Sequence, residues 1–153
     1  MELNIQATNV LKRTLEAEKA QNQIIIHEGG SRSSKTWSIF QFFLVKAIAS
    51  DNITITIVRD KLSWIKLTLL KDFEEILKKY KLPVTPAINH NRQDQVYTVK
   101  GTEFAFFGLD YPEKLHGRKQ DWFWINDECE NALGLRHGLY RSFIEYPIAH
   151  HQQ

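Results

Sequence analysis

An α/β fold, a three-layer sandwich around a mixed, mostly parallel sheet, is what this sequence predicts, on three observations. The β-branched runs Ile24-Ile25-Ile26 and Ile53-Thr54-Ile55-Thr56-Ile57-Val58 alternate with segments of helical periodicity. One such segment carries Leu62, Ile65, Leu69, Phe73, Ile76, Leu77 and Tyr80 as an apolar stripe. A Gly-Gly turn follows the first strand, and a later apolar strand ends in consecutive carboxylates. Strands alternating with helices build such sandwiches, and their ligands collect beyond the C-terminal ends of the strands.

In chain order, residues 3–20 carry Leu3, Val10, Leu11 and Leu15 among charged positions and predict an amphipathic helix. A first strand is expected over 23–28 and a helix over about 35–49. Asp51-Asn52 makes a turn into the strand at 53–58, and the helix over 61–80 is closed by Pro83 and Pro86. Gln95–Val99 and Glu103–Phe107 flank Lys100-Gly101-Thr102 as a β-hairpin, which makes the sheet mixed. Gly108 to Gly117 connects, with a short helical piece at 112–115; a strand at 122–126 and a helix at 129–141 follow.

A chain of 153 residues with 42% hydrophobic and 25% charged side chains is one soluble domain with a real core, not a disordered chain. A net charge of +2 is too small to argue for a nucleic-acid partner by electrostatics. The single cysteine, Cys129, excludes an internal disulfide. Its place after Asp127-Glu128 raises a metal or nucleophile reading, against which stands a small half-buried residue at a helix start. No apolar run approaches the ~18 residues of a membrane span, and the N-terminus lacks the features of a signal peptide. Lys61, Lys66, Lys71, Lys78, Lys79 and Lys81 are interleaved with Asp72, Glu74 and Glu75, which favours a solvated, salt-bridged face over a nucleic-acid track. Phe104, Phe106, Phe107, Trp122, Phe123 and Trp124 are read as core rather than as stacking platforms. His150 and His151 read as a disordered terminus rather than as metal ligands.

The chemistry sits first in Gly29-Gly30-Ser31-Arg32-Ser33-Ser34-Lys35-Thr36. Gly29 stands six residues before Lys35, as a P-loop requires, although Ser34 replaces the pattern's second glycine. Small residues let the backbone close around an anion, and the first amides of the following helix point at it with the positive end of the helix dipole. Lys35 would reach the β- and γ-phosphates, and the Thr36 hydroxyl would ligate the Mg²⁺ carried by the nucleotide. The fold class thereby becomes a P-loop NTPase-type sandwich.

The second element is Asp121-Trp122-Phe123-Trp124-Ile125-Asn126-Asp127-Glu128. A buried strand emitting acids at its C-terminal edge places them in the ligand crevice of an open sheet. Asp127 would hold the Mg²⁺, directly or through water, and Glu128 would orient and deprotonate the attacking water. The register stays open between Asp127-Glu128 and Asn126-Asp127 as the functional pair.

Taken together the chain resembles the large subunit of tailed-phage terminases, in its N-terminal packaging ATPase. The resemblance runs through the Gly29–Thr36 loop with Trp37-Ser38, and through Ile57-Val58-Arg59 with Leu69-Leu70-Lys71-Asp72-Phe73. It continues through Phe106-Phe107-Gly108-Leu109-Asp110 with Pro112-Glu113-Lys114-Leu115-His116-Gly117, then Trp124-Ile125-Asn126-Asp127-Glu128 and Glu130-Asn131-Ala132. The Phe-Phe-Gly-Leu-Asp segment is the discriminating part. The resemblance implies ATP and Mg²⁺ as cofactors, Lys35, Thr36, Asp127 and Glu128 in the roles above, and Arg32 as a loop arginine that stabilises developing γ-phosphate charge. It also implies double-stranded DNA, a portal on an empty procapsid and a small terminase subunit as partners. The setting implied is a homo-oligomeric ring in the cytoplasm of a bacterial host.

The chain departs from that pattern beyond Asn131, where a further sheet strand and an RNase H-like nuclease domain are expected. The expectation is therefore one ATPase domain over 1–153, truncated, with the nuclease absent. The missing strand would lie between the acid strand and the P-loop strand; Ser142-Phe143-Ile144-Glu145-Tyr146-Pro147 is the segment available for that slot. Other readings are a different P-loop NTPase, of helicase or partition type, and a non-catalytic remnant or interaction module.

Overall fold

The computed structural model describes residues 5–21, 24–29, 35–50, 52–59, 68–82, 85–86, 95–108, 121–128 and 140–145. Three helices, α1 (Asn9–Lys19), α2 (Lys35–Ala49) and α3 (Leu70–Lys79), accompany seven strands among these residues. The strands are β1 (Ile24–Gly29), β2 (Thr54–Arg59), β3 (Thr85–Pro86), β4 (Gln95–Val99), β5 (Thr102–Gly108), β6 (Trp122–Glu128) and β7 (Tyr140–Glu145). They form one sheet in the order β1-β7-β6-β2-β5-β4-β3.

The sheet is mixed, as expected, but its pairings are not mostly parallel. Only β2 with β5 and β2 with β6 pair in parallel; β1·β7, β7·β6, β5·β4 and β4·β3 are antiparallel. Short connections explain both departures. Lys100-Gly101 is a two-residue loop between Val99 and Thr102. Both loop residues have positive φ (52° and 80°), the conformation that matches a hairpin's twist. A Cβ on Gly101 would also lie 3.2 Å from Asn52 Oδ1. At the other side of the sheet, residues 129–139 between β6 and β7 are fewer than the dozen or more that a parallel crossover takes. Tyr140 and Arg141, expected to end a helix, are therefore the start of an antiparallel strand.

Two reversals in succession restore direction, so β1, β2, β5 and β6 all run the same way and end at one edge of the sheet. β7 occupies the slot between β1 and β6, in a register two residues earlier than the segment expected there.

The core lies between the three helices and one face of the sheet. Ile39, Phe40, Phe42, Phe43 and Leu44 of α2 and Phe73, Ile76 and Leu77 of α3 pack on Ile25, Ile55, Ile57, Phe104, Phe106, Trp122, Trp124 and Ile144. Alternation along each strand sends Val58, Val96, Ala105 and Phe107 to a smaller cluster on the opposite face, with Phe123 and Ile125 half-buried beside it. Phe104, Phe106, Phe107, Trp122 and Trp124 are thus core, with Phe123 half-buried at its margin. All described helices sit on the first face; the helical piece expected at 112–115 and residues 129–139 lie outside the described residues. Helix α1 starts later than its periodicity suggested, because the Thr8 hydroxyl caps it by accepting from Leu11 N at 3.1 Å. Asp121 pins the start of β6 to β2, accepting from Thr54 N at 2.7 Å through its carboxylate.

Candidate functional site

The edge where β1, β2 and β6 end is where the two sequence elements meet. Gly29, the last residue of β1, is paired with Tyr140, and Glu128, the last of β6, with Arg141. The two strand ends are therefore level at one edge and two strand spacings apart, about 10 Å. Helix α2 begins at Lys35, after the loop that leaves β1.

Lys35 is only 6% exposed and Thr36 is half-buried. The Thr36 hydroxyl lies 3.4 Å from Asn126 Nδ2, which donates to it across the gap between α2 and β6. Asn126 is 2% exposed, on the helix-covered face it shares by alternation with Trp122 and Trp124. Its other polar atom, Oδ1, is buried and without a hydrogen-bond partner among the described residues. Between Ile125 and Glu128 the register slips: three steps along β6 match two along β7, from Phe143 to Arg141. Such a bulge breaks simple alternation at Asp127 and is a common way to re-aim residues beside a site.

Of the sequence-predicted residues, then, the structure brings Lys35 and Thr36 to the same edge as the backbone of Gly29, Asp127 and Glu128. Gly30, Ser31, Arg32, Ser33 and Ser34 lie outside the described residues, as does Cys129. Among the described β6 side chains, Asn126 is the one hydrogen-bonded to Thr36.

Within reach of the Lys35 charge lies a polar pair that the motif spacing does not single out, buried Thr14 and half-buried His27. The Thr14 hydroxyl donates its one hydrogen to Val10 O at 2.7 Å, so in its 3.0 Å contact with His27 Nε2 the imidazole is the donor. Neutral His27 is therefore the Nε2–H tautomer. Its pKa is lowered, first by burial and then by the Lys35 charge. The signal was in the strand: His27 shares the parity of Ile25, hence its inward face, two residues ahead of Gly29.

A histidine depressed in the folded state contributes stability above its unfolded pKa of about 6.5, and that contribution is lost as pH falls through the folded value. The melting temperature of the ligand-free protein is expected to fall as pH drops below about 6.5. His27→Gln, which keeps a donor for Thr14, should flatten that part of the curve. An unchanged pH profile in the variant would show that His27 is not the group responsible.

A family model described as phage terminase large subunit matches residues 21–134. That stretch contains β1, the loop, α2 and all of β6. No curated protein and no solved structure matches the chain.

Proposed function

This chain belongs to the phage terminase large-subunit family, and from that membership we propose that it binds and hydrolyses ATP with Mg²⁺ to drive double-stranded DNA into a procapsid. The observation that carries the reading is the Thr36–Asn126 contact, which joins the start of α2 to the end of β6. In a P-loop site those are the places where the cation's protein ligand and the acids stand.

The roles follow from chemistry. Backbone amides from Gly29, Gly30, Ser31, Arg32, Ser33 and Ser34 would cradle the phosphates, and Lys35 would sit against the β- and γ-phosphates. The donor set fits Mg²⁺, which takes hard oxygens, keeps several waters and is held by one or two protein groups plus phosphate rather than by a protein cage. Thr36 and Asp127 would hold it; bound, it neutralises phosphate charge. Glu128 would accept a proton from water as the water oxygen attacks the γ-phosphorus and the bond to the β-phosphate oxygen breaks, releasing ADP. Arg32 would stabilise the charge that develops on the γ-phosphoryl oxygens. The chain would act in the bacterial host's cytoplasm as one ATPase domain of a homo-oligomeric ring, with portal and small subunit as partners.

Calorimetry and a turnover assay test this on the 153-residue chain. Glu128→Gln should retain Mg·ATP binding and lose about 10²-fold or more in hydrolysis. Stimulation by procapsids with double-stranded DNA supports packaging, whereas stimulation by single strands alone supports a helicase-type motor. No thermal shift at millimolar Mg·ATP would overturn the nucleotide site, since a ligand of the folded state must raise its melting temperature.

A further inference from the structure

We propose that Asn126 is the positioning residue for the Thr36 hydroxyl, donating to it in the empty site and reversing to accept from it when the Thr36 oxygen ligates a divalent cation. The inference rests on the nucleotide-site reading above. A threonine hydroxyl has one hydrogen and two lone pairs. Without nucleotide, Thr36 accepts from Asn126 Nδ2 at 3.4 Å. Once its oxygen turns a lone pair to a cation, its hydrogen needs an acceptor. Asn126 Oδ1 can supply one, at the other end of the same carboxamide, buried and unmatched among the described residues. A half-turn about the terminal torsion of Asn126 exchanges its two ends at little steric cost, because they are nearly the same size.

The residue type matters as much as the geometry. At 2% exposure a carboxylate in this place would carry the desolvation cost of a buried charge whenever the site is empty. A neutral carboxamide removes that penalty and offers little to free Mg²⁺. The cation is thereby made to arrive with the phosphates rather than ahead of them.

The test is ATP binding by calorimetry, with Mg²⁺ and with EDTA, on the unaltered chain, Asn126→Ala and Asn126→Asp, beside thermal melts of each. In Asn126→Ala the gain in ATP affinity brought by Mg²⁺ should shrink by about 10-fold or more, with the EDTA value within about 2-fold. Asn126→Asp should keep that gain, melt lower than the unaltered chain in EDTA, and be restored by Mg²⁺ without nucleotide. Asn126→Ala retaining the full gain, or losing affinity equally in both buffers, overturns the proposal. Should Asn126→Ala not fold, Asn126→Asp decides: insensitivity of its melt to Mg²⁺ overturns it. An unaltered chain that binds ATP in neither buffer removes the nucleotide-site reading itself. Binding enhanced by Mg²⁺ but indifferent to Asn126 removes this inference alone.

Discussion

Lys35→Ala is expected to weaken Mg·ATP binding by about 10- to 100-fold while leaving the ligand-free melting temperature within a few degrees of the unaltered chain. The loss follows from removing a charge-assisted hydrogen bond to phosphate, worth roughly 1.5–3 kcal/mol. The small effect on the free protein follows from where the ammonium sits. It is buried, it opens α2 at the end where the helix dipole is already positive, and it faces His27, whose protonation it disfavours. The helix dipole and His27 both disfavour a cation there, and a bound anion offsets them. A corollary checks the geometry independently of nucleotide: the His27 titration, followed by NMR, should move upward in Lys35→Ala because one of the two causes of its depression is gone. A His27 titration that stays put would separate the two side chains. A melting temperature that collapses would make Lys35 a structural residue.

Phe40→Ala should cost about 3–5 kcal/mol, lowering the melting temperature by roughly 6–20 °C. Phe40 is fully buried and ties four elements together. Its ring lies 5.5 Å from Phe73 of α3, 6.3 Å from Phe106 of β5 and 5.0 Å, edge-on, from Trp124 of β6. Truncation leaves a cavity bounded by rings that cannot all collapse inward, so the upper part of the range is expected. Against a typical total of about 5–15 kcal/mol, one side chain removes a large share of the stability. Phe40→Leu should cost less than about 1.5 kcal/mol, because it keeps most of the volume. Trp124 stands two residues before Asn126, so Phe40→Ala should also weaken nucleotide binding indirectly. A variant melting within two degrees of the unaltered chain would mean that α2 does not seat on β6 through this ring.

What the sequence disclosed and what it withheld divide along a physical line. Helices α2 and α3 and strands β1, β2 and β4 to β6 were legible because their signals are local: β-branched runs, the stripe from Leu69 to Tyr80, and a turn read at Lys100-Gly101-Thr102, of which Thr102 proves to open β5. The direction of β7 was not. Strand direction depends on the length of the preceding connection and on which partner offers a matching face, and Ser142 to Pro147 carries neither fact in its letters. The Thr8 cap was missed because the apolar periodicity of residues 3–20 runs through it without a break. At the site, the spacing of Gly29, Lys35 and Thr36 and the acid run pointed to one edge, but not to which β6 residue would bond to Thr36. That depends on alternation from Trp122 and on a bulge, and only three-dimensional pairing reveals the bulge.

The interposed β7 also fixes a timetable for synthesis. Strand β1 leaves the ribosome well ahead of β7, yet among the described residues β7 is its hydrogen-bonded neighbour, with Ile24 opposite Glu145. At about 5–20 residues per second that neighbour emerges roughly 6–24 s later. Until then Ile24, Ile25 and Ile26 form a bare β-branched template, and even in the finished sheet Ile24 and Ile26 stay 56% and 52% exposed. The nascent protein should therefore lean on holdase chaperones during this interval, and its yield should depend on how quickly translation delivers Tyr140 to Glu145.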